Sequence, residues 1–172
     1  MEKPCTSKVI EVTVISAEGL LITRREPVKK NAFVVVRSDP FNSKSTGMDT
    51  VGGNYPAWKE KLVLELPAHA RFISVETHSG SKFIGSANIP VSDFSGGYLP
   101  DNYLSFLSYR LKDANGEKNG IINLSVMVKG TRGTMGGTAS CSRPWKGVPV
   151  GGKVSDVDEG IVTGIPVYYQ HN

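Results

Sequence analysis

The chain has 172 residues, of which 39% are hydrophobic and 21% are charged, and its formal net charge is +4. This length is enough for one domain with a well-formed core and some additional chain, and the composition is ordinary for a globular protein. A net charge of this size does not by itself indicate a nucleic-acid or membrane partner. No apolar run approaches the roughly 20 residues that a membrane-spanning helix needs.

The beginning of the chain, MEKPCTSKVIEV, lacks the apolar stretch of a secretory signal peptide, and Glu2 excludes N-myristoylation. We therefore expect a cytoplasmic protein. Cys5 and Cys141 lie far apart in terminal or Gly/Ser/Pro-rich segments, which argues against a structural disulfide and against a zinc site. Palmitoylation of Cys5 is an alternative, but a free thiol is the favoured interpretation.

Alternation of apolar and polar residues predicts β-strands through most of the chain, and no helix is indicated. In chain order the predicted strands are VIEVTVI, NAFVVVRS, a weaker one within NSKSTGM, WKEKLVLEL, RFISVET, KFIGSANI, YLSFLSYRL and GIINLSVMV. Turn-forming stretches such as HSGS and DANGEKNG separate them. About eight strands at this spacing predict an all-β, eight-stranded antiparallel β-sandwich. The core candidates are Val12, Val14, Phe33, Val35, Trp58, Leu62, Val75, Ile84, Leu124 and Val126.

The composition changes after Lys129. Residues 130–153 are rich in Gly, Ser, Thr and Pro, so they cannot bury enough apolar surface to offset the entropy of ordering. We place the boundary there, which gives a domain over 1–129, with its core in 8–129, and a Gly-rich tail over 130–172. The tail ends in an apolar segment, 161–169. This segment is interpreted equally well as a strand that docks back on the sandwich or as a peptide that adds to a partner's sheet edge or groove.

The order of these patterns resembles the C2 domain family over residues 8–129. VIEVTVISAEGL is similar to the opening strand of that family, and NYPAWKEKLVLEL to its Asn-Pro-x-Trp-x-Glu strand with Tyr55 inserted. ISVETHSGSKFIGSANIPV resembles its third loop and the following strand. The strand in GIINLSVMVKG closes the domain instead of opening it, which favours the circular permutation called type II. The resemblance implies a C2 sandwich whose loops at one end approach membranes.

Finer details resemble the plant BONZAI-associated proteins, namely SAEGL, RREPVKK, the stretch from DFSGGYLPDN to INLSV, and VTGIPV in the tail. That resemblance implies a small non-enzymatic C2 protein that pairs with a copine and binds anionic phospholipid. It also implies a negative regulator of plant cell death and defence responses that is cytoplasmic and peripheral at the membrane. The alternative is a pure protein-interaction adaptor with no direct lipid binding.

The calcium ligands that the family uses are largely missing. In C2 domains that bind calcium, aspartates of the first and third loops coordinate the ion, and the resemblance implies Ca²⁺ as a cofactor. The matching positions here are occupied by Thr23, Arg24 or Arg25, Asn31, Thr77 and Ser79. The nearby carboxylate of Glu76 is directed away from the Thr77 position by strand alternation. Because calcium binds roughly six to eight oxygens, mostly from carboxylates, we predict no tight calcium site.

Fixed positive charge is predicted to replace the ion. The predicted lipid-binding residues are Arg24, Arg25, Lys29 and Lys30 in the first loop and Lys82 in the third. Each cation near an anionic leaflet contributes about 1 kcal/mol, and Glu26 opposes one of the five, so this surface alone contributes roughly 4 kcal/mol, an affinity of about millimolar. A membrane-associated copine partner would supply a second contact. The competing interpretation is an ordinary solvated loop.

A second basic cluster is formed in the sequence by Arg37, Lys44, Lys59 and Lys61. It is a candidate phosphoinositide site if one sheet face carries all four residues. The favoured interpretation is that they are exposed strand residues that protect a sheet edge from pairing.

Other classes of function fit less well. None of the three histidines stands in a recognisable motif with a nucleophile and an orienting carboxylate. The Gly-rich tail lacks the Gly-Lys-Ser/Thr of a phosphate-binding loop. The aromatic residues Phe33, Tyr55 and Trp58 are better explained by packing than by stacking on nucleic-acid bases. The sequence therefore predicts neither an enzyme nor a nucleic-acid-binding protein.

Overall fold

The structure is a computed structural model that describes residues 7–130. Its strands are β1 (Lys8–Glu18), β2 (Leu21–Thr23), β3 (Glu26–Pro27), β4 (Ala32–Asp39), β5 (Asn42–Ser45), β6 (Ala57–Leu66), β7 (Phe72–Ser79), β8 (Lys82–Pro90), β9 (Leu104–Lys112) and β10 (Lys118–Lys129). Within this range the helical structure is one 3-10 turn, Val91–Asp93. The predicted all-β fold is confirmed, and each of the predicted strands is present. The tail and its apolar segment, 161–169, lie outside the described residues, so the domain boundary stays a prediction.

The main strands form an antiparallel arrangement in the order β5-β4-β7-β8-β9-β10-β1-β6. Between β8 and β9 the register contains a single pair, Ser86 with Lys112, so the arrangement divides into two four-stranded sheets. We call β5-β4-β7-β8 sheet I and β9-β10-β1-β6 sheet II. The edge strands β5 and β6 lie side by side and are linked by a hydrogen bond, which the Asn42 side chain donates to the Glu65 carbonyl at 3.1 Å. The last strand, β10, pairs with the first, β1.

One apolar core lies between the two sheets. Alternate residues of each strand point inward, and most of them are almost completely shielded from solvent. Sheet II contributes Ile10, Val12, Val14, Leu62, Leu64, Leu66, Ile122, Leu124 and Val126, and sheet I contributes Val34, Val36, Ile73, Val75, Ile84 and Ile89. The core prediction is confirmed for Val12, Val14, Leu62, Val75, Ile84, Leu124 and Val126.

The core prediction is wrong for Phe33 and Val35, which are only half-buried on the outer face of sheet I. Their neighbours Val34 and Val36 point inward instead, opposite Thr77 and Val75 of β7. The run from Ala32 to Val36 is apolar at every position, so alternation within β4 cannot indicate which set is buried. The pairing of β4 with β7 determines which of its residues face the core.

Trp58 is half-buried and packs against the core from its rim. It lies at an irregularity where the pairing of β1 with β6 shifts register, and the next residue, Lys59, has a left-handed φ of 51°. The indole Nε1 donates to the Ala32 carbonyl at 3.0 Å, which joins β6 of sheet II to the start of β4 in sheet I. Trp58 therefore links the two sheets by a hydrogen bond as well as by packing.

Replacing Trp58 tests how much of its stabilisation comes from packing and how much from the hydrogen bond. Trp58→Ala should lower the free energy of unfolding by about 3 kcal/mol, because a large aromatic contact is lost. Trp58→Phe should cost only about 1 kcal/mol, since the Ala32 carbonyl keeps the bond from the Asp49 amide. Chemical denaturation measures both values, with the exposed Tyr55→Ala as a control that should change little. Equal losses for the two Trp58 variants would contradict this division.

Candidate lipid-binding site

Four connections lie at one end of the sandwich, because the strands that they join are antiparallel neighbours. They are the first loop (19–31), the second loop (46–56), the third loop (80–81) and the fourth loop (113–117). Backbone hydrogen bonds tie the first loop to its neighbours: Gly80 donates to the Asn31 carbonyl, and Leu20 donates to the Asn54 carbonyl, both at 3.0 Å. The structure thus places the predicted first-loop and third-loop residues at the same end, which we call the loop end.

The first loop contains a short hairpin that the sequence did not predict. Strands β2 and β3 pair, with Arg24 and Arg25 forming the turn between them. The base of the hairpin is closed by Leu20 and Val28, which are both buried, and the Val28 amide donates to the Leu20 carbonyl at 3.0 Å. Two apolar anchors therefore hold a basic hairpin tip out from the sandwich.

Asn119 fastens this hairpin to the sandwich. Its side chain is only 7% exposed, and its oxygen accepts from the Leu21 amide at 3.0 Å. Its amide nitrogen donates to the carbonyls of Leu21 at 2.8 Å and of Ile84 at 2.9 Å. One buried amide thus joins the first loop to β8. Sequence reasoning missed it, because an Asn before a Gly at the start of a strand was interpreted only as a turn former.

The predicted lipid-binding residues differ in whether their side chains form ion pairs. Arg24 makes a two-point ion pair with Glu117 of the fourth loop, with Nε 2.8 Å from Oε2. Arg25, Lys29, Lys30 and Lys82 are exposed and make no ion pair with any residue in 7–130.

Lys30 and Lys82 are brought together by Ser79. The Ser79 hydroxyl donates to the Lys30 carbonyl at 2.9 Å, and Ser79 pairs with Lys82 across the β7–β8 turn. The loop end therefore combines positive charge from the first and third loops.

The second loop adds exposed apolar side chains that the sequence analysis did not single out. Val51 is 90% exposed, Tyr55 is 62% exposed and Met48 is 59% exposed. Isolated exposed apolar residues are common, but these three belong to one short loop beside the basic residues. The combination of apolar and basic side chains suits the interfacial region of an anionic membrane, which accommodates both.

Asp49 gives the second loop its shape. One carboxylate oxygen accepts from the amides of Val51 at 2.7 Å and Gly52 at 2.8 Å, and the other accepts from Ala57 at 2.8 Å. The hydrogen bonds from Gly52, then Ala57, then Val51 lower the pKa of Asp49. Its oxygens are thus engaged in holding the loop. The turn-forming sequence Asp-Thr-Val-Gly-Gly was a signal that could have identified it.

The degenerate calcium positions Asn31, Thr77 and Ser79 carry neutral side chains, and the structure shows the surroundings of each residue. Thr77 is fully buried in the core, and the Ser79 hydroxyl is bound to Lys30. Asn31 has a left-handed φ of 59° and uses its carbonyl for Gly80. Glu76 points to the outer face of sheet I, as alternation predicts, and its carboxylate lies 3.4 Å from the His78 ring. Among residues 7–130, no three His, Cys, Asp or Glu side chains are grouped so as to hold a metal ion.

The second basic cluster is split by the fold. Arg37 lies on the outer face of sheet I, with Nε 3.4 Å from a Glu76 oxygen. Lys61 lies in sheet II and pairs with Glu11 at 3.1 Å. The less favoured alternative, in which one sheet face carries all four cations, does not fit this arrangement, because Arg37 and Lys61 belong to different sheets. Lys44 and Lys59 are exposed on the neighbouring edge strands β5 and β6.

Glu11 also binds a second lysine, Lys129, at 3.1 Å. The hydrogen bonds from Lys129 and then from Lys61 lower the pKa of Glu11. This carboxylate therefore counters positive charge on the outer face of sheet II, whereas Arg25, Lys29 and Lys30 have no such partner in the described part of the chain.

A family model of the C2 domain matches residues 8–106, so the chain belongs to the C2 domain family. The chain is 49% identical over 128 residues to BON1-associated protein 2 of Arabidopsis thaliana, a match that covers 70% of this chain and 61% of that protein. It thus spans less than two thirds of the length of this relative. The helical turn in residues 7–130 is too short to cross a membrane.

Solved structures support the same fold. The C2 domain-containing protein from a putative elicitor-responsive gene superposes with a TM-score of 0.61 at 14% identity, covering 79% of this chain and 98% of that one. A C2 domain of plant Extended Synaptotagmin 1 gives a TM-score of 0.58 at 14% identity, covering 74% of this chain and 97% of that one. At these identities the likeness shows the fold alone.

Removing the Asp49 carboxylate should loosen the second loop and destabilise the protein. Asp49→Ala leaves three backbone amides without their acceptor, so we expect a loss of about 2 kcal/mol at neutral pH. Because the folded-state pKa of Asp49 is lowered, this stabilisation is present above the unfolded-state pKa of about 3.9 and is lost as the pH falls through the folded-state value.

Denaturation at a series of pH values measures the gap in the free energy of unfolding between the native chain and Asp49→Ala. The gap should narrow progressively as the solution is acidified. The exposed Asp101→Asn serves as a control and should follow the native chain throughout. A gap that stays constant down to low pH would show that charge on Asp49 has no part in the effect.

Proposed function

We propose that this protein is a non-enzymatic C2 module that binds anionic phospholipid membranes through its loop end and also binds a copine-type partner. In this proposal it is cytoplasmic, peripheral at the membrane, and a negative regulator of plant cell death and defence responses. The observation that carries the lipid part is the placement of exposed cations and exposed apolar side chains on adjoining loops. The partner part is supported by a relative whose name describes association with BON1.

The charge at the loop end favours weak membrane binding without calcium. Arg24 is largely matched by Glu117, which leaves Arg25, Lys29, Lys30 and Lys82, opposed by the exposed Glu26. At about 1 kcal/mol for each cation near an anionic leaflet, the net contribution is about 3 kcal/mol.

Apolar contacts add to this charge. Insertion of Val51 would contribute about 1.5–3 kcal/mol if its side chain became fully buried. Together the two contributions correspond to a Kd between about millimolar and tens of micromolar, so a second contact is needed for stable attachment. A membrane-associated partner bound at the same time would supply it.

Reversing the charge of two first-loop lysines tests the electrostatic part. Lys29→Glu together with Lys30→Glu should reduce co-sedimentation with anionic liposomes to the background seen with neutral liposomes. The matched control is Lys8→Glu with Arg71→Glu, which changes the net charge equally on exposed residues at the opposite end. Binding should also weaken as salt shortens the screening length to ~3 Å near 1 M. Salt-insensitive binding would argue against this mechanism.

The same sedimentation assay tests calcium. Added calcium or a chelator should change binding little, because Asn31, Thr77 and Ser79 supply no carboxylate. A strict requirement for micromolar calcium would contradict this part of the proposal. No response to anionic liposomes under any condition would favour the alternative function, a protein-interaction adaptor that does not bind lipid.

A single substitution tests the apolar part. Val51→Asp should weaken liposome binding about tenfold or more, since the change removes an inserting side chain and adds a charge that the leaflet repels. Phe41→Asp is the matched control, because Phe41 is 99% exposed on the β4–β5 turn at the opposite end. Equal losses for the two variants would show that the second loop does not face the membrane.

The partner part of the proposal needs its own assay. A purified copine, immobilised and washed with detergent to exclude lipid, should retain the protein and should also retain the Lys29→Glu, Lys30→Glu variant. Retention of neither protein would remove the copine from the proposal and leave lipid binding unaffected.

A further inference from the structure

Strands β4 and β7 separate at the end of the sandwich opposite the loop end. Their last backbone pair is Arg37 with Ser74. Strand β4 nevertheless continues to Asp39 along β5, with a register shift between Arg37 and Asp39. Strand β7 begins at Phe72, which pairs with Pro90 of β8. Because β4 follows β5 here and β7 follows β8, a gap opens between the two strands.

This gap belongs to a cleft of about 480 Å³. The connection from β6 to β7 forms its other wall, and the Val91 amide fixes the end of that connection by donating to the Arg71 carbonyl at 2.9 Å. The apolar part of the lining comes from Pro40, Ala70 and Phe72, of which Phe72 is half-exposed. A concave, largely apolar site of this volume has the size of a binding site for a small molecule.

One polar group of the lining is buried without a partner. Ser38 is 7% exposed, and its hydroxyl forms no hydrogen bond with any residue in 7–130. Leaving a buried hydroxyl unpaired costs free energy, and most buried polar groups have a partner. An unpaired hydroxyl in the lining of a cleft therefore indicates a ligand that accepts its hydrogen bond.

The basic residues of the cleft favour a negatively charged ligand. Arg71 and His69 are exposed, and neither forms an ion pair in the described part of the chain. The Nε of Arg37 lies 3.4 Å from a Glu76 oxygen, a long contact that leaves the other guanidinium donors available. Arginine binds a carboxylate or a phosphate through two parallel hydrogen bonds, so either anion would suit this side of the cleft.

Asp39 selects between these two anions. One of its oxygens accepts from the amides of Phe41 at 2.7 Å and Asn42 at 2.9 Å, which holds the carboxylate at the turn after β4. Its negative charge in the lining of the cleft repels a doubly charged phosphate more strongly than a singly charged carboxylate. The cleft therefore suits one carboxylate joined to an apolar body.

We propose that this cleft binds a small free carboxylic acid in its ionised form. The apolar body of the ligand lies against Pro40, Ala70 and Phe72, and its carboxylate accepts hydrogen bonds from the Arg71 guanidinium and the Ser38 hydroxyl. The site lies at the opposite end of the sandwich from the loop end, so it is separate from the proposed membrane contact.

A titration of the isotopically labelled full-length chain with octanoate tests the site. Octanoate should shift the amide resonances of residues 37–39 and 69–74 and should leave those of the second loop unchanged. Acetate, which lacks the apolar body, and octyltrimethylammonium, which carries the opposite charge, should not produce these shifts. No shift with octanoate, or equal shifts with octyltrimethylammonium, would overturn the proposal.

Two variants test the assigned contacts. Arg71→Glu should weaken octanoate binding about tenfold or more, whereas Lys44→Glu, the same charge change on exposed β5, should leave it unchanged. Ser38→Ala should weaken binding about fivefold without lowering the midpoint of thermal unfolding, because the lost hydroxyl has no partner among residues 7–130. Equal losses for Arg71→Glu and Lys44→Glu, or full binding by Ser38→Ala, would contradict the assigned contacts.

A comparison with liposome binding separates this site from the loop end. The Lys29→Glu, Lys30→Glu variant should bind octanoate as the native chain does, and Arg71→Glu should co-sediment with anionic liposomes as the native chain does. Loss of octanoate binding in the first variant would place the carboxylate at the loop end. Loss of liposome binding in Arg71→Glu would show that the cleft takes a bilayer lipid. Either loss would overturn the proposal of a free ligand in the cleft.

Discussion

Two four-stranded sheets that meet at the single backbone pair Ser86 and Lys112 depend on a shared apolar core to stay together. Side chains such as Val12 and Leu124 from sheet II meet Val34 and Val75 from sheet I, and all of them are buried. Burial of each contributes about 1.5–3 kcal/mol, which compensates for the few hydrogen bonds between the sheets. The same arrangement gathers four loops at one end.

At the loop end, polar side chains hold the first and second loops in place. Asn119 fastens the first loop, and Asp49 shapes the second by accepting three backbone hydrogen bonds. The Asn119 amide and the Asp49 carboxylate both find their hydrogen-bond partners within the protein. The surface that they support is therefore already formed in the protein alone. Preformed surfaces of this kind bind at a lower entropic cost than loops that must first become ordered.

The proposed membrane contact and the proposed partner contact depend on one another for strength. In this proposal the loop end would offer about three net charges and one or two apolar side chains to the membrane, a set that would give only weak binding. Stable attachment of the protein to a membrane would therefore require both an anionic leaflet and a membrane-bound partner, because two linked contacts are much stronger than either alone. This dependence suits a regulatory protein whose location must be reversible.

The sequence by itself determined the class of fold and the positions of the eight main strands, because alternation is a local property that survives whatever the strands pair with. It also identified the basic residues of the first loop and the missing calcium ligands. Only the tertiary structure decided that Val34 and not Val35 is buried, that Arg37 and Lys61 belong to different sheets, and that Met48, Val51 and Tyr55 stand beside the basic loop. Each of these three features depends on which strands, distant in sequence, become neighbours. The residues of a single strand do not indicate its neighbours.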